Sequence, residues 1–249
     1  MGLFRVTLGQ LRMYDEFEKE QERIKQILDE LTENRKTQNL DSMIYTTMYN
    51  TKLDFDIDRG FFSEALTYLD EIEDHFDLHS DLLDTNAKMV IFINLSYVHF
   101  GNQNYHKSLF WINKLLNNSY GNIRMDLQCM APIMNIAIHY QLGNYDIISN
   151  LIRSTDRFLI KTERKFKVES SFLKFARKCL QEEYSKNNLE HLFIAEIENL
   201  KKISLDPKER GSIELFDIIS WLESIVKNRP LEEIMKDLPE QEKTYSGIL

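Results

Sequence analysis

The stretch Phe92-Ile93-Asn94-Leu95-Ser96-Tyr97-Val98-His99-Phe100-Gly101-Asn102-Gln103-Asn104-Tyr105-His106-Lys107-Ser108-Leu109 reads as one helix, a turn and the start of another. Phe92, Leu95, Ser96 and His99 recur at offsets of three, one and three, which places them on one helix face. Gly101 and Asn102 interrupt that face with residues that tolerate the left-handed backbone ending a helix. Tyr105 and Ser108 then open the buried stripe of the next helix. A small residue at Ser96 lets the paired helix approach closely, as an antiparallel hairpin requires.

The same pattern returns along the chain. Ile133, Ile136, Ala137 and Tyr140 precede Gly143-Asn144-Tyr145, and Phe172, Phe175, Ala176 and Cys179 precede Asn187-Asn188-Leu189. Met48, Thr51, Lys52 and Phe55 form a poorer copy before Gly60, and Asn228-Arg229-Pro230-Leu231 makes a fifth turn. The residues opening each second helix are Phe62, Tyr105, Tyr145, Leu189 and Leu231, spaced by 43, 40, 44 and 42. Even spacing of this kind marks helical repeats. Pro132 is expected to start or kink the first helix of its repeat.

These large-small-aromatic steps resemble the tetratricopeptide class of α-solenoids over residues 41–238, with a period longer than the standard unit; a HEAT-like helical repeat has a comparable period. The resemblance implies an all-α chain, a right-handed solenoid of about five helix-turn-helix repeats that binds a protein or peptide in its concave groove. Residues 1–40 are expected to form an amphipathic capping helix, with Leu11, Tyr14, Phe17, Ile24, Ile27, Leu28 and Leu31 on one face. Residues 239–249 are expected to fray.

Composition agrees with helices. Of 249 residues only 8 are Gly and 4 Pro, about half the average share, which disfavours a turn-rich sandwich or barrel. Hydrophobic residues make up 43%, enough for a core. A net charge of −9 argues against nucleic acid or an anionic membrane as partner, and no run approaches a membrane span. Cys129 and Cys179 are isolated, and the N-terminal apolar run is too short for a secretory signal, so a cytoplasmic protein is expected.

Chemistry finds little purchase in the sequence. No phosphate loop, nucleophile elbow or Cys-His arrangement is present, so no enzymatic activity and no cofactor is expected. His75 and His79 have the spacing of paired zinc ligands but lack a following Glu and sit where a helix end favours His, so no metal is expected either.

Two features remain. Residues 54–84 carry eleven acids against Arg59, and residues 151–180 carry nine bases against three acids. Such runs form solvated faces or meet a partner of opposite charge, including another copy of the chain. Asn50, Asn94 and Asn135 recur immediately before the large-small step, with Lys174 in the fourth repeat. By the resemblance this position faces the concave groove, beside Tyr97 and Ile138, where Asn can bond to a peptide backbone. The same regularity equally suits hydrogen bonds between neighbouring first helices. A non-enzymatic scaffold or adaptor is therefore expected, with a sensor of a short peptide signal as the alternative.

Overall fold

The computed structural model describes residues 38–163, 166–184 and 189–238, together with Lys19, Glu22–Ile24 and Gln26, and side chains are not described for 38–43, 182–184 and Arg210. The capping helix expected within residues 1–40, the Asn187-Asn188 turn and the tail 239–249 therefore lie largely outside the described residues. Twelve α-helices are present among them, without strand: α1 (Gln38–Asp58), α2 (Phe62–Leu66), α3 (Leu69–His79), α4 (Thr85–Gly101), α5 (Tyr105–Leu116), α6 (Met125–Gln141), α7 (Tyr145–Lys161), α8 (Lys167–Tyr184), α9 (Glu190–Ile203), α10 (Pro207–Leu215), α11 (Ile218–Lys227) and α12 (Leu231–Lys236). None is long and apolar enough to cross a membrane.

From α4 to α9 each helix packs on the next, while α4 also packs on α1 and on α6. Four of the turns that end helices share one geometry. At Gly60, Gln103, Gly143 and Asn228 the backbone is left-handed, and the following N–H donates to a carbonyl five residues back: Phe61 to Asp56, Asn104 to His99, Asn144 to His139 and Arg229 to Ser224. This is the Schellman bond, which satisfies carbonyls that a helix end would strand.

Gly101 plays a different part from the one its position suggests. It is helical, Gln103 takes the left-handed conformation, and a Cβ on Gly101 would lie 2.2 Å from the Phe62 ring. Glycine is needed there because α2 presses a phenyl ring onto α4. The small step at Ser96 works as the hairpin argument requires: Ser96 Oγ donates to the Ser108 carbonyl at 2.9 Å, and both serines are fully buried between α4 and α5. Pro132 sits inside α6, leaving the Gln128 carbonyl without its usual amide donor.

The C-terminal helices do not simply extend the array. Phe216, between α10 and α11, packs against Tyr97 and Phe100 of α4 at 5.3 and 5.4 Å between centroids. Trp221 reaches Phe100, Tyr140 and Phe172 at 6.0–6.1 Å. Aromatic rings bury large apolar areas, so this cluster joins three first helices to α11. Beyond it, α12 returns to the first turn: Glu232 Oε2 accepts from the Ser63 backbone N–H and hydroxyl, and Gly60 lies against Met235. Helix α10 also seals the start of α8, where Glu209 Oε2 accepts from the Lys167 and Val168 N–H groups at 2.7 and 3.2 Å.

Candidate functional site

The expected groove residues fall into two groups. On the inner face of α4 and α6, Asn94 is 2% exposed, Tyr97 3%, Asn135 7% and Ile138 0%. These positions are core, so they do not line an open groove. For Tyr97 the reason lies in the second half of the chain: Phe216 packs on its ring, and the Asp217 backbone N–H donates to its Oη at 3.0 Å.

Asn94 performs the structural alternative. Its Nδ2 donates to Asp54 Oδ1 at 2.8 Å, bridging α4 to α1. Burial and the neighbouring Asp58 push the Asp54 carboxyl well above the usual carboxylate range, while Asn94 and Arg124 act against that shift. Asn50 Oδ1 and Asn135 Oδ1 are buried without a hydrogen-bond partner.

Nearby polar groups are also structural. His99, at a core-aromatic position, is fully buried, and its Nε2 lies 3.0 Å from Glu73 Oε1, which also accepts from Trp111 Nε1 at 3.0 Å. Burial raises the Glu73 carboxyl, but bonds to His99 and Trp111 and the charge of Lys107 outweigh it, so the net shift is downward. The His75 and His79 rings lie 4.6 Å apart, with His75 against Tyr45.

Lys174 leads elsewhere. It lines an open groove of about 680 Å³ between α8 and α9, together with Lys167, Ser170, Ser171, Lys178, Glu196 and Asn199. The apolar part of the wall comes from Phe166, Phe175, Leu192, Ala195 and Ile203. Helix α8 sets this arrangement by periodicity: Phe172, Phe175, Ala176 and Cys179 turn inward, which leaves Lys174 and Lys178, one turn apart, exposed along the rim. Neither lysine forms an ion pair with a described residue, whereas Lys167 reaches Asp206 at 3.1 Å and Arg177 reaches Asp156 at 2.8 Å.

The floor holds an unusual acid. Phe193, Ile197 and Leu200 form the buried stripe of α9, and Glu196 falls on that stripe at 9% exposure. Its Oε1 has no hydrogen-bond partner, a costly condition for a buried polar atom. Burial raises the Glu196 carboxyl, and hydrogen bonding from Ser171 and Asn199 and the charge of Lys178 offset only part of that rise. Asn199 Nδ2 in turn donates to Ser171 Oγ at 2.6 Å.

Of the expected site residues, Lys174 reaches this open cleft, while Asn94, Tyr97, Asn135 and Ile138 are buried. Sequence reasoning passed over Glu196, although an acid on an apolar helical stripe was a signal available to it. The remaining acids of residues 54–84 divide between inside and outside: Asp54 and Asp56 bond to Asn94 and Tyr68, whereas Asp70, Asp74, Asp77 and Asp81 are exposed. No family model, curated protein or solved structure matches this chain.

Proposed function

We propose that this chain is a non-enzymatic, tetratricopeptide-like helical-repeat protein that binds a protein or peptide partner, and that it does so in the α8–α9 groove. The observation that carries this reading is the open cleft itself, whose rim bears Lys174 and Lys178, neither in an ion pair with a described residue, and whose lining includes the buried acid Glu196. A ligand that meets these groups with complementary charge and hydrogen bonds gains affinity from them. The chemistry required is specific: carboxylates for the two lysines, a hydrogen-bond donor for Glu196, and apolar side chains for Phe166, Leu192 and Ile203. An acidic amphipathic segment supplies all three.

The volume suits several side chains of such a segment. The repeat pattern and the recurring Schellman turns support the solenoid class, and that class presents grooves of this kind between successive hairpins. The test is a titration of fluorescent acidic amphipathic peptides, read by anisotropy, against the wild type and two variants. Binding should weaken at least tenfold in Lys174→Glu/Lys178→Glu, a loss of about 1.4 kcal/mol or more, and remain within twofold in Asn94→Ala. Binding that ignores the lysine pair, or no binding by any acidic peptide, would reject the groove.

A further inference from the structure

The outer face of α3 carries a feature that the fold leaves unpaired. Asp70, Asp74, Asp77 and Asp81 follow at intervals of four, three and four, so they form one stripe along α3 and the 3-10 turn Ser80–Leu82. All four are exposed, and none forms an ion pair with a described residue. Like charges one turn apart repel, so the stripe destabilises the isolated helix. The opposite face, with Leu69, Ile72 and Phe76, is buried and fixes the stripe outward. Beside it stand Leu78 and Leu82, one turn apart and 77% and 39% exposed; Leu78 is among the most exposed large apolar side chains described.

We propose that the occupant of the α8–α9 groove is this α3 stripe of a second copy of the chain, giving head-to-tail self-association. The inference rests on the groove reading above and names its partner. Lys174 and Lys178 have the one-turn spacing of the Asp stripe, so two parallel ridges of opposite charge can pair without adjusting either helix. Leu78 and Leu82 supply the apolar side chains that Phe166, Leu192 and Ile203 lack. The two surfaces belong to different parts of the chain, so the contact joins a stripe on one copy to a groove on the next.

The experiment uses the full chain. Sedimentation velocity should show mass rising with concentration at about 0.02 M salt and returning to monomer at about 0.5 M, because the contact is made by exposed charges. Lys174→Glu/Lys178→Glu and Asp74→Lys/Asp77→Lys should each weaken self-association tenfold or more while keeping the wild-type helical spectrum, since all four positions are exposed. Mixed together, the two variants should associate again, because each reversed surface then meets its complement. A wild type that stays monomeric, variants that still self-associate, or a mixture that fails to recover would each overturn the proposal.

The acidic amphipathic peptides described above separate this failure from failure of the groove itself. If the wild type stays monomeric at low salt while such a peptide binds in a lysine-dependent way, the groove stands and self-association falls. If no acidic peptide binds, both readings fall.

Discussion

Gly101 and Gly143 show how one residue type serves two physical needs. Gly101→Ala would place a methyl 2.2 Å from the Phe62 ring, so it should destabilise by about 1–3 kcal/mol or more through overpacking. Gly143 has open space around it but a φ of +71°, so Gly143→Ala should cost about 1–2 kcal/mol through backbone strain alone. Chemical denaturation distinguishes them in the Phe62→Ala background, where the Gly101→Ala penalty should shrink and the Gly143→Ala penalty should persist. Asp54 makes a prediction about pH. Its folded pKa is raised, so between the ordinary carboxylate value and that raised value the native chain holds a proton that the unfolded chain has released. Its contribution is fully present below the ordinary value and is lost as pH rises through the folded one. Asp54→Asn keeps an oxygen for the Asn94 donor and removes the ionisation, so its advantage in denaturation midpoint over wild type should grow from about pH 5 to about pH 8. An advantage that shrinks over that interval would contradict the assignment.

Helix α12 spans only Leu231–Lys236, too short to be stable alone, and it persists because of what it covers. Besides the Glu232–Ser63 hydrogen bonds, two contacts hold it to the first turn. The Lys236–Glu64 pair at 3.2 Å is 33% and 53% exposed, which limits it to about 0–1 kcal/mol. Met235 is 3% exposed and lies against Gly60, so truncating it removes buried apolar contact and leaves a cavity. Met235→Ala should therefore cost about 2–4 kcal/mol in thermal or chemical denaturation, and Lys236→Ala less than about 1 kcal/mol. The reverse order would mean that the surface charges, rather than the apolar face, dock the helix.

Helices that packed only on their sequence neighbours would unfold as sums of neighbour contacts, but here contacts join residues far apart in sequence. Phe216 and Trp221 link α11 to α4, α6 and α8, and α12 links back to the turn after α1. Cooperativity should follow. Phe216→Ala should cost about 3–5 kcal/mol, and the loss should appear equally in far-UV circular dichroism and in the fluorescence of Trp111, which lies on α5 away from the substitution. A Trp111 transition unmoved by Phe216→Ala would show that the two halves unfold independently. Covering the inner face in this way also removes it from binding, which shifts the proposed function to α8 and α9.

Helical periodicity, the left-handed turns and the small step at Ser96 are local matters, set by side-chain spacing and backbone sterics within some twenty residues. They were legible in the sequence, and so were the two opposite charge runs. Which polar residues reach an open cleft was not legible, because Asn94 and Lys174 occupy the same place in the sequence pattern, immediately before the large-small step. Asn94 is buried and bonded to Asp54 of α1, and Lys174 remains on an open rim. That difference comes from packing between helices, not from the local pattern. Periodicity tells which side of a helix is apolar; only tertiary packing decides what, if anything, covers it.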